Sequence, residues 1–418
     1  MRNINLSVKK ILYIIIIYPF FKPYFFSTMG LMPYVNQALF AMSLILIVLL
    51  HLRKLPSIYI NGGMCFILLF YTFTSISTFL NDSISTDFLS FMAFAIGFGL
   101  LLNYSLISKK DFSYFLFAIY FLLYIYVLTN LIAMFLFPNG IPSITDNIAS
   151  PQYIFGNTNS AIKLLLPGLC FAFLYDLISF KKLRKRSWLL LILVWITVIK
   201  SWSVTAVFGL IIFTFIILYK NSGNKKFVLS YHNSLVFSLI IFLVLVVFRS
   251  ENSFIVNIVQ IFGKDVTFSN RDVLWLNAID SIKSTPIWGY GYQSEDIIWK
   301  HIGNRYGSHN YYLDTMFRGG LISISFLILG LIVFGRNLAK QENTSVKRVL
   351  LGTCGAYFLM WIAEPFQSTE YLMLSILFVL ISRLNIVVSY YYGIEKTTSL
   401  HDKIESREAQ FEMVPKKT

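Results

Sequence analysis

Stretches of about 20 mostly apolar residues recur along this chain, and they leave it one kind of fold. Such a stretch crosses the hydrocarbon core of a bilayer as a helix, because lipid offers no hydrogen-bond partner to an open main chain. In order they fall at about 8–24, 36–52, 61–80, 88–106, 113–136, 157–178, 187–200, 203–220, 228–248, 309–335, 349–366 and 370–391. Twelve spans are thus expected, with the division between the seventh and eighth the least sharply marked. Of 418 residues 56% are hydrophobic and 13% charged, where a soluble domain carries roughly 25% charged. The expected fold is all-α: a polytopic membrane domain over 1–396, then a polar tail over 397–418 too charged to pack.

The net charge of +15 does not point to nucleic acid, because the cations cluster in short connections. Arg53-Lys54, Lys109-Lys110, Lys181-Lys182 with Arg184-Lys185-Arg186, Lys225-Lys226 and Lys347-Arg348 all follow even-numbered spans. The opposite connections are neutral or acidic, as around Asp82, Asp87, Asp146, Glu364 and Glu370. Under the positive-inside rule both termini are cytoplasmic, in a multi-pass protein of the plasma membrane. Arg2, Lys9 and Lys10 precede the first apolar run without a small-residue cleavage site after it, so that run reads as a retained helix. Cys65, Cys170 and Cys354 all lie in apolar runs, a pattern that predicts neither a disulfide framework nor a metal site.

One long polar stretch interrupts the pattern. The loop over about 249–308, between the ninth and tenth spans, falls on the outside, and its lysines and arginines are matched by its acids. Phe254, Ile255, Ile258, Val259 and Phe262 recur at helical spacing and predict an amphipathic helix on the bilayer surface. A second helix follows, with Ser269 and Asp272 spaced as a capping box and Val273, Leu276, Ile279 and Ile282 or their neighbours as its buried face. Pro286, Gly289 and Gly291 then make a turn.

Several side chains in and around this loop have the chemistry of an anion site. Arg271 falls in the first turn of the second helix, where free N–H groups and a guanidinium together favour phosphate; a surface pair with Asp272 or Glu295 is the plainer account. Trp288 and Tyr290 form either a sugar-stacking turn or part of an interfacial aromatic belt. His309, at an outer helix start, is either a neutral general base or a capping residue together with Ser308. Lys163, Lys200 and Arg318 are cations within or between apolar segments, where charge usually lines a cavity. Lys163 can instead snorkel, and Asp314 with Arg318 has the i, i+4 spacing of a local ion pair. Arg305 is a further loop cation.

Across about 264–325 the chain resembles the O-antigen polymerase and ligase superfamily, the Wzy and WaaL type of membrane glycosyltransferase. The resemblance rests on Arg271 with Trp275, then Pro286 with Gly289 and Gly291, then His309-Asn310 with Gly319-Gly320, in that order and spacing. Phe155-Gly156-Asn157 with Asn159 and Ala161 adds a weaker likeness. It implies transfer of glycan from an undecaprenyl diphosphate carrier at the outer membrane face, without metal or other cofactor. Arg271 would hold the donor diphosphate, and His309 would deprotonate or orient the acceptor hydroxyl. Asn310, Lys163, Lys200, Arg305, Arg318, Trp288 and Tyr290 would contribute to substrate binding. Where many members have Ser-Arg, this chain has Lys200-Ser201, a point charge without the bidentate fork.

The reading is a polymerase of capsule or O-antigen repeat units. A ligase moving finished glycan to another acceptor is the alternative within the class. A composition rich in Phe, Ile, Asn and Lys fits a source without lipid A and favours the polymerase. A flippase would be expected to show repeated halves and midplane charges, and no repeat is visible. The implied partners are the lipid-linked oligosaccharide, the bilayer, a chain-length regulator and a flippase.

Overall fold

The computed structural model describes residues 7–52, 61–142, 151–157, 159–219, 230–247, 271–342 and 344–393. Among these the protein is all-helical, its sole bridge pairing Tyr153 with Gly156. The helices that matter here are α1 (Val8–Ile17), α2 (Met32–Leu52), α3 (Gly62–Leu80), α4 (Thr86–Ser105), α5 (Lys109–Leu136), α6 (Ala161–Phe180), α7 (Lys185–Ser201), α8 (Val204–Leu218), α9 (Tyr231–Phe242), α10 (Arg271–Ser284), α11 (Glu295–Ile302), α12 (Tyr311–Lys340), α13 (Ser345–Met360), α14 (Glu370–Leu374) and α15 (Leu384–Tyr392). Among the described residues six of them, α2 to α6 and α12, are long and apolar enough to cross a membrane. A seventh candidate is the pair Gln367–Leu380 and Leu384–Tyr392, bent by 75°. The protein is therefore a multi-pass helical membrane protein. The amphipathic helix expected around Phe254, the Ser269 cap and the 397–418 tail lie outside the described residues.

Short polar side chains fix where the helices start. Asn61, Ser85, Ser108 and Asn310 each accept a main-chain N–H three residues on, at 2.7, 3.1, 3.1 and 3.0 Å, using a donor that the first helical turn leaves free. Helix α6 is the central element, with 94% of its apolar window buried. It packs against α5, α7 and α13, while α8 lies along α13 and α12 along α3. At one end of α6 the wholly buried Asp176 accepts from Arg186 at 2.7 Å, from Ser187 Oγ at 2.7 Å and from the Arg184 N–H at 2.8 Å. Part of the basic connection after α6 is thus tied down by a carboxylate.

Helix α10 buries Trp275, Ala278, Ser281 and Ile282 against α11 and α12. Of the face expected from the sequence, Val273 and Leu276 are instead exposed. The register is turned by polar contacts that apolar periodicity does not register. Asn277 Nδ2 donates to the Ile302 carbonyl at 3.0 Å, and Ser281 Oγ to that of His301 at 3.3 Å.

The glycines of the loop serve a main-chain splice. Helix α12 breaks at Gly320, whose φ of +62° and ψ of −162° are not helical. The break frees the carbonyls of Phe317 and Arg318 and the N–H groups of Leu321 and Ile322. The loop supplies all four partners. Tyr290 N–H donates to Phe317 O at 2.7 Å and Gly291 N–H to Arg318 O at 2.8 Å. In return Leu321 N–H donates to Pro286 O at 2.8 Å and Ile322 N–H to Ile287 O at 3.4 Å. The end of α3 clamps the same junction, because Ser77 Oγ donates to Arg318 O, Asn81 Nδ2 to Gly289 O, and Tyr292 N–H to Thr78 Oγ1. At Gly289, with φ +70°, a Cβ would lie 2.5 Å from the Phe317 carbonyl oxygen.

That clearance gives a stability prediction. Gly289→Ala combines a left-handed backbone with a main-chain collision, and strain of this kind costs on the order of 1–3 kcal/mol. Thermal unfolding of the purified protein should show a lowered midpoint for Gly289→Ala. Gly62→Ala, where an added Cβ meets nothing within 4 Å, should leave the midpoint in place or raise it slightly.

Candidate functional site

The turn after α13, 361–364, gathers the site. A helix end leaves carbonyls without intrahelical partners, and here three successive ones are taken by groups from elsewhere. Trp361 O accepts from Tyr311 N–H at 2.8 Å, and Ile362 O from Asn310 Nδ2 at 2.9 Å. Ala363 O accepts from Arg271 Nη1. The other Arg271 nitrogen, Nη2, lies 3.3 Å from Glu364 Oε1, and this carboxylate is 1% exposed. The start of α10, the start of α12 and the end of α13 are thereby held together. Glu364, rather than Asp272 or Glu295, is the acid that partners Arg271.

His309 stands ahead of α12 in a short, heavily bonded bend. The Ser308 N–H and Oγ both donate to Asp314 Oδ1, at 2.8 and 2.7 Å, and Asn310 N–H donates to Ser308 Oγ at 3.2 Å. These bonds commit one oxygen of the Asp314 carboxylate, Oδ1, and hold His309 at φ +56°, an uncommon backbone for a side-chain-bearing residue. The helix cap is Asn310, so His309 is released from capping. Its Nε2 has Asn304 Nδ2 at 3.5 Å, and its Nδ1 is buried with no hydrogen-bond partner among the described residues. Burial, then the nearby charges of Arg271 and Lys163, lower the His309 pKa to about 4. The ring is therefore neutral near pH 7. The Asn304 amide N–H faces Nε2, so in this arrangement Nε2 accepts and Nδ1 carries the hydrogen; Nδ1 offers a lone pair only in the other tautomer, with that long 3.5 Å contact given up.

The structure brings together Arg271, His309, Asn310 and Lys163, with Lys163 on the first turn of α6 close enough to feel Glu364, Asp314 and Arg271. It places other candidates elsewhere. Lys200 is exposed at the end of α7 with its ammonium over the Phe135 ring at 4.1 Å. Arg305 is exposed and lies 3.6 Å from Asp296. Arg318 is buried and pairs with Glu370 at 2.9 Å, while Tyr311 Oη donates to the other Glu370 oxygen at 3.0 Å. The i, i+4 ion pair between Asp314 and Arg318 is not formed: Arg318 Nε donates to the Asp314 carbonyl and the two charged ends diverge to Glu370 and Ser308. Tyr290 stacks on Phe317 at 4.8 Å and 19°, whereas Trp288 is 37% exposed. Two acids matter that the sequence did not single out as site residues, Glu364 and Glu370. Their signal was acid at the ends of otherwise apolar segments.

Beside this cluster, and sharing Lys163 with it, is a cavity of about 530 Å³. Its walls come from the N-terminal segment, α4, α6 and the 367–371 turn, with Tyr292 from the spliced loop.

Three measurements follow. Because the folded pKa of His309 lies below its unfolded value of about 6.5, the unfolded chain binds more protons between these two values. Stability should therefore fall as pH drops from about 6.5 toward 4, and His309→Gln should flatten that part of the profile. Selectively labelled histidine observed by NMR should show one imidazole still neutral at pH 5.5. Arg271→Lys keeps the charge but cannot serve Ala363 O and Glu364 together. It should lower the unfolding midpoint by the equivalent of roughly 1–3 kcal/mol, the usual cost of an unmet buried acceptor.

Residues 187–328 match the O-antigen ligase family, a region that holds Lys200, Arg271, His309 and Arg318 and leaves out Lys163, Glu364 and Glu370. The chain is also similar to the exopolysaccharide production protein ExoQ of Rhizobium meliloti (strain 1021), at 29% identity over 126 residues. That match covers 26% of this chain and 29% of the relative, so the chain spans under a third of the curated relative it matches. With the all-helical membrane architecture, these likenesses support the Wzy/WaaL-type superfamily, a class of membrane proteins of polysaccharide biosynthesis.

Proposed function

We propose that this protein is a polysaccharide polymerase that joins lipid-linked repeat units of a capsule or O-antigen at the outer face of the plasma membrane. The observation that carries the reading is the convergence of Arg271 and Asn310 on the turn at 361–364, which sets a neutral His309, next to Asn310, within the field of Arg271 and Lys163. In this reading twelve segments span the bilayer with both termini cytoplasmic: α1, the shorter helices α7, α8, α9 and α13, and the bent segment Gln367–Tyr392 complete the set begun by the six long ones. The donor is a glycan on undecaprenyl diphosphate. His309 Nδ1 takes the proton of the acceptor hydroxyl as its oxygen bonds to the anomeric carbon. The bond from that carbon to the diphosphate oxygen breaks with inversion, and undecaprenyl diphosphate leaves with the electron pair.

Arg271 and Lys163 stabilise the charge that grows on the leaving group, which makes the transfer metal-independent. Their field acts beside the buried Glu364, and charge interactions strengthen away from bulk water. Arg271 is held by Ala363 O and Glu364 through its two terminal nitrogens, so it is positioned before substrate arrives. Exposed Trp288 is the aromatic surface open to a sugar ring, and Lys200, Arg305 and Arg318 act on more distant parts of the substrate or on the frame. A chain-length regulator and a flippase would work beside it.

A ligase is the second reading, favoured by the match of residues 187–328 to the O-antigen ligase family. The test is the length distribution of lipid-linked glycan in cells carrying His309→Ala at wild-type protein level. Accumulated single repeat units are expected for a polymerase. Long lipid-linked chains that never reach a final acceptor would replace that reading with the ligase, and an unchanged distribution would remove His309 from the chemistry. With purified protein, chelator should leave the rate of transfer within about twofold, since no step is assigned to a metal.

A further inference from the structure

The cavity beside the site contains a cation that the reading above does not use. Lys22 lies between the short 3-10 turn Tyr18–Phe20 and the single helical turn Phe25–Thr28, and it lines the cavity together with Lys163. It is half-buried, with its ammonium 5.5 Å from the centre of the Phe94 ring, and it has no acid or hydrogen-bond partner among the described residues. Lys163 likewise makes no side-chain hydrogen bond or ion pair there. One acid, Asp87, lines the same space, and it is exposed. Thr369 Oγ1, also in the wall, is buried and unpartnered. Two cations thus line one open-mouthed cavity without partners among the described residues, and unpaired charge is retained in such surroundings chiefly where it meets a ligand.

The wall that carries Lys22 is built in place. Phe25 N–H donates to Ile154 O at 3.0 Å, Asn36 Nδ2 donates to Phe26 O, and Tyr371 Oη donates to Phe20 O. Gly156, with φ +93°, lets the 153–156 turn close on Tyr24, whose Cβ would lie 3.2 Å from a Cβ added there. Lys22 therefore has a fixed place opposite α6. The remaining walls include Phe91, Phe94, Tyr292 and Tyr371, an apolar lining suited to an isoprenoid or the face of a sugar. Arg271 and His309 do not line the cavity.

We propose that Lys22 and Lys163 form a second anion subsite, which holds the diphosphate of a second lipid-linked molecule while Arg271 engages the first. This deepens the polymerase reading and rests on it, because joining two lipid-linked glycans requires two diphosphates at one site. Lys163, close to both the cavity and Arg271, is the side chain the two subsites share.

The test uses the purified full-length protein with farnesyl diphosphate and inorganic diphosphate as probes, at matched ionic strength. Lys22→Ala should weaken farnesyl diphosphate binding about tenfold or more, since the charge-assisted contact it removes is desolvated. Lys22→Arg should stay within about threefold of wild type, and Asp87→Asn should tighten binding by removing the opposing charge. Tighter binding of farnesyl than inorganic diphosphate assigns the group to a lipid. Equal binding, with the same loss in Lys22→Ala, keeps the anion subsite and gives it to a phosphate borne elsewhere. Unchanged affinity in Lys22→Ala, or no binding by a wild-type protein that still unfolds cooperatively, overturns the subsite. The readouts separate the two claims: loss of binding in Lys22→Ala together with long lipid-linked chains in His309→Ala would keep the anion subsite and replace the polymerase with the ligase.

Discussion

The site depends on main-chain groups left over where helices break or end. In an apolar surrounding each unmet carbonyl or N–H costs several kcal/mol, so every break must be answered by another segment. The break at Gly320 is answered by the loop through Tyr290, Gly291, Pro286 and Ile287. The carbonyls of 361–363 are answered by Tyr311, Asn310 and Arg271. Both repairs act on α12, one at its start and one near its tenth residue. Between them they hold a polar loop of limited apolar surface in register with a membrane bundle. His309 and Arg271 are brought to one turn as a result, without having to bond each other.

Charge follows the same economy of position. Four acids close to this end of the bundle have separate tasks: Asp314 orders the Ser308 bend, Glu364 orients Arg271, Glu370 compensates Arg318, and Asp87 stays exposed at the cavity rim. That distribution leaves Lys163 and Lys22 without a dedicated carboxylate partner. An arginine locked to an acid is a positioned hydrogen-bond donor, whereas an unpaired lysine is a charge available to a ligand. The two kinds of cation thus divide orientation from attraction in the proposed transfer.

How far the sequence could be read varies with the kind of signal. The helical membrane class followed from apolar runs, and a helix through Arg271 followed from the periodicity after it, while Ser269, expected to cap it, lies outside the described residues. The buried face of α10 did not follow, because Asn277 and Ser281 set its rotation through polar contacts to α11. Gly289, Gly291 and Gly319-Gly320 were visible as a motif, yet their role as a splice needs two segments about thirty residues apart in the chain to meet. Asp314 and Arg318 carried the spacing of a pair and do not form one, since Ser308 and Glu370 offer each of them a better-placed partner.

The sequence by itself determined what must be local: which segments are apolar enough to be helices in lipid, and which side chains carry charge or a titratable ring. The tertiary structure decided everything that depends on distant segments meeting. It chose Glu364 for Arg271, released His309 Nδ1 by giving the cap to Asn310, put Lys200 out over Phe135, and set Lys22 across a cavity from Lys163. The reason is physical: periodicity records the apolar environment along one element, while hydrogen bonds and ion pairs between elements are fixed by the packing that brings their ends together.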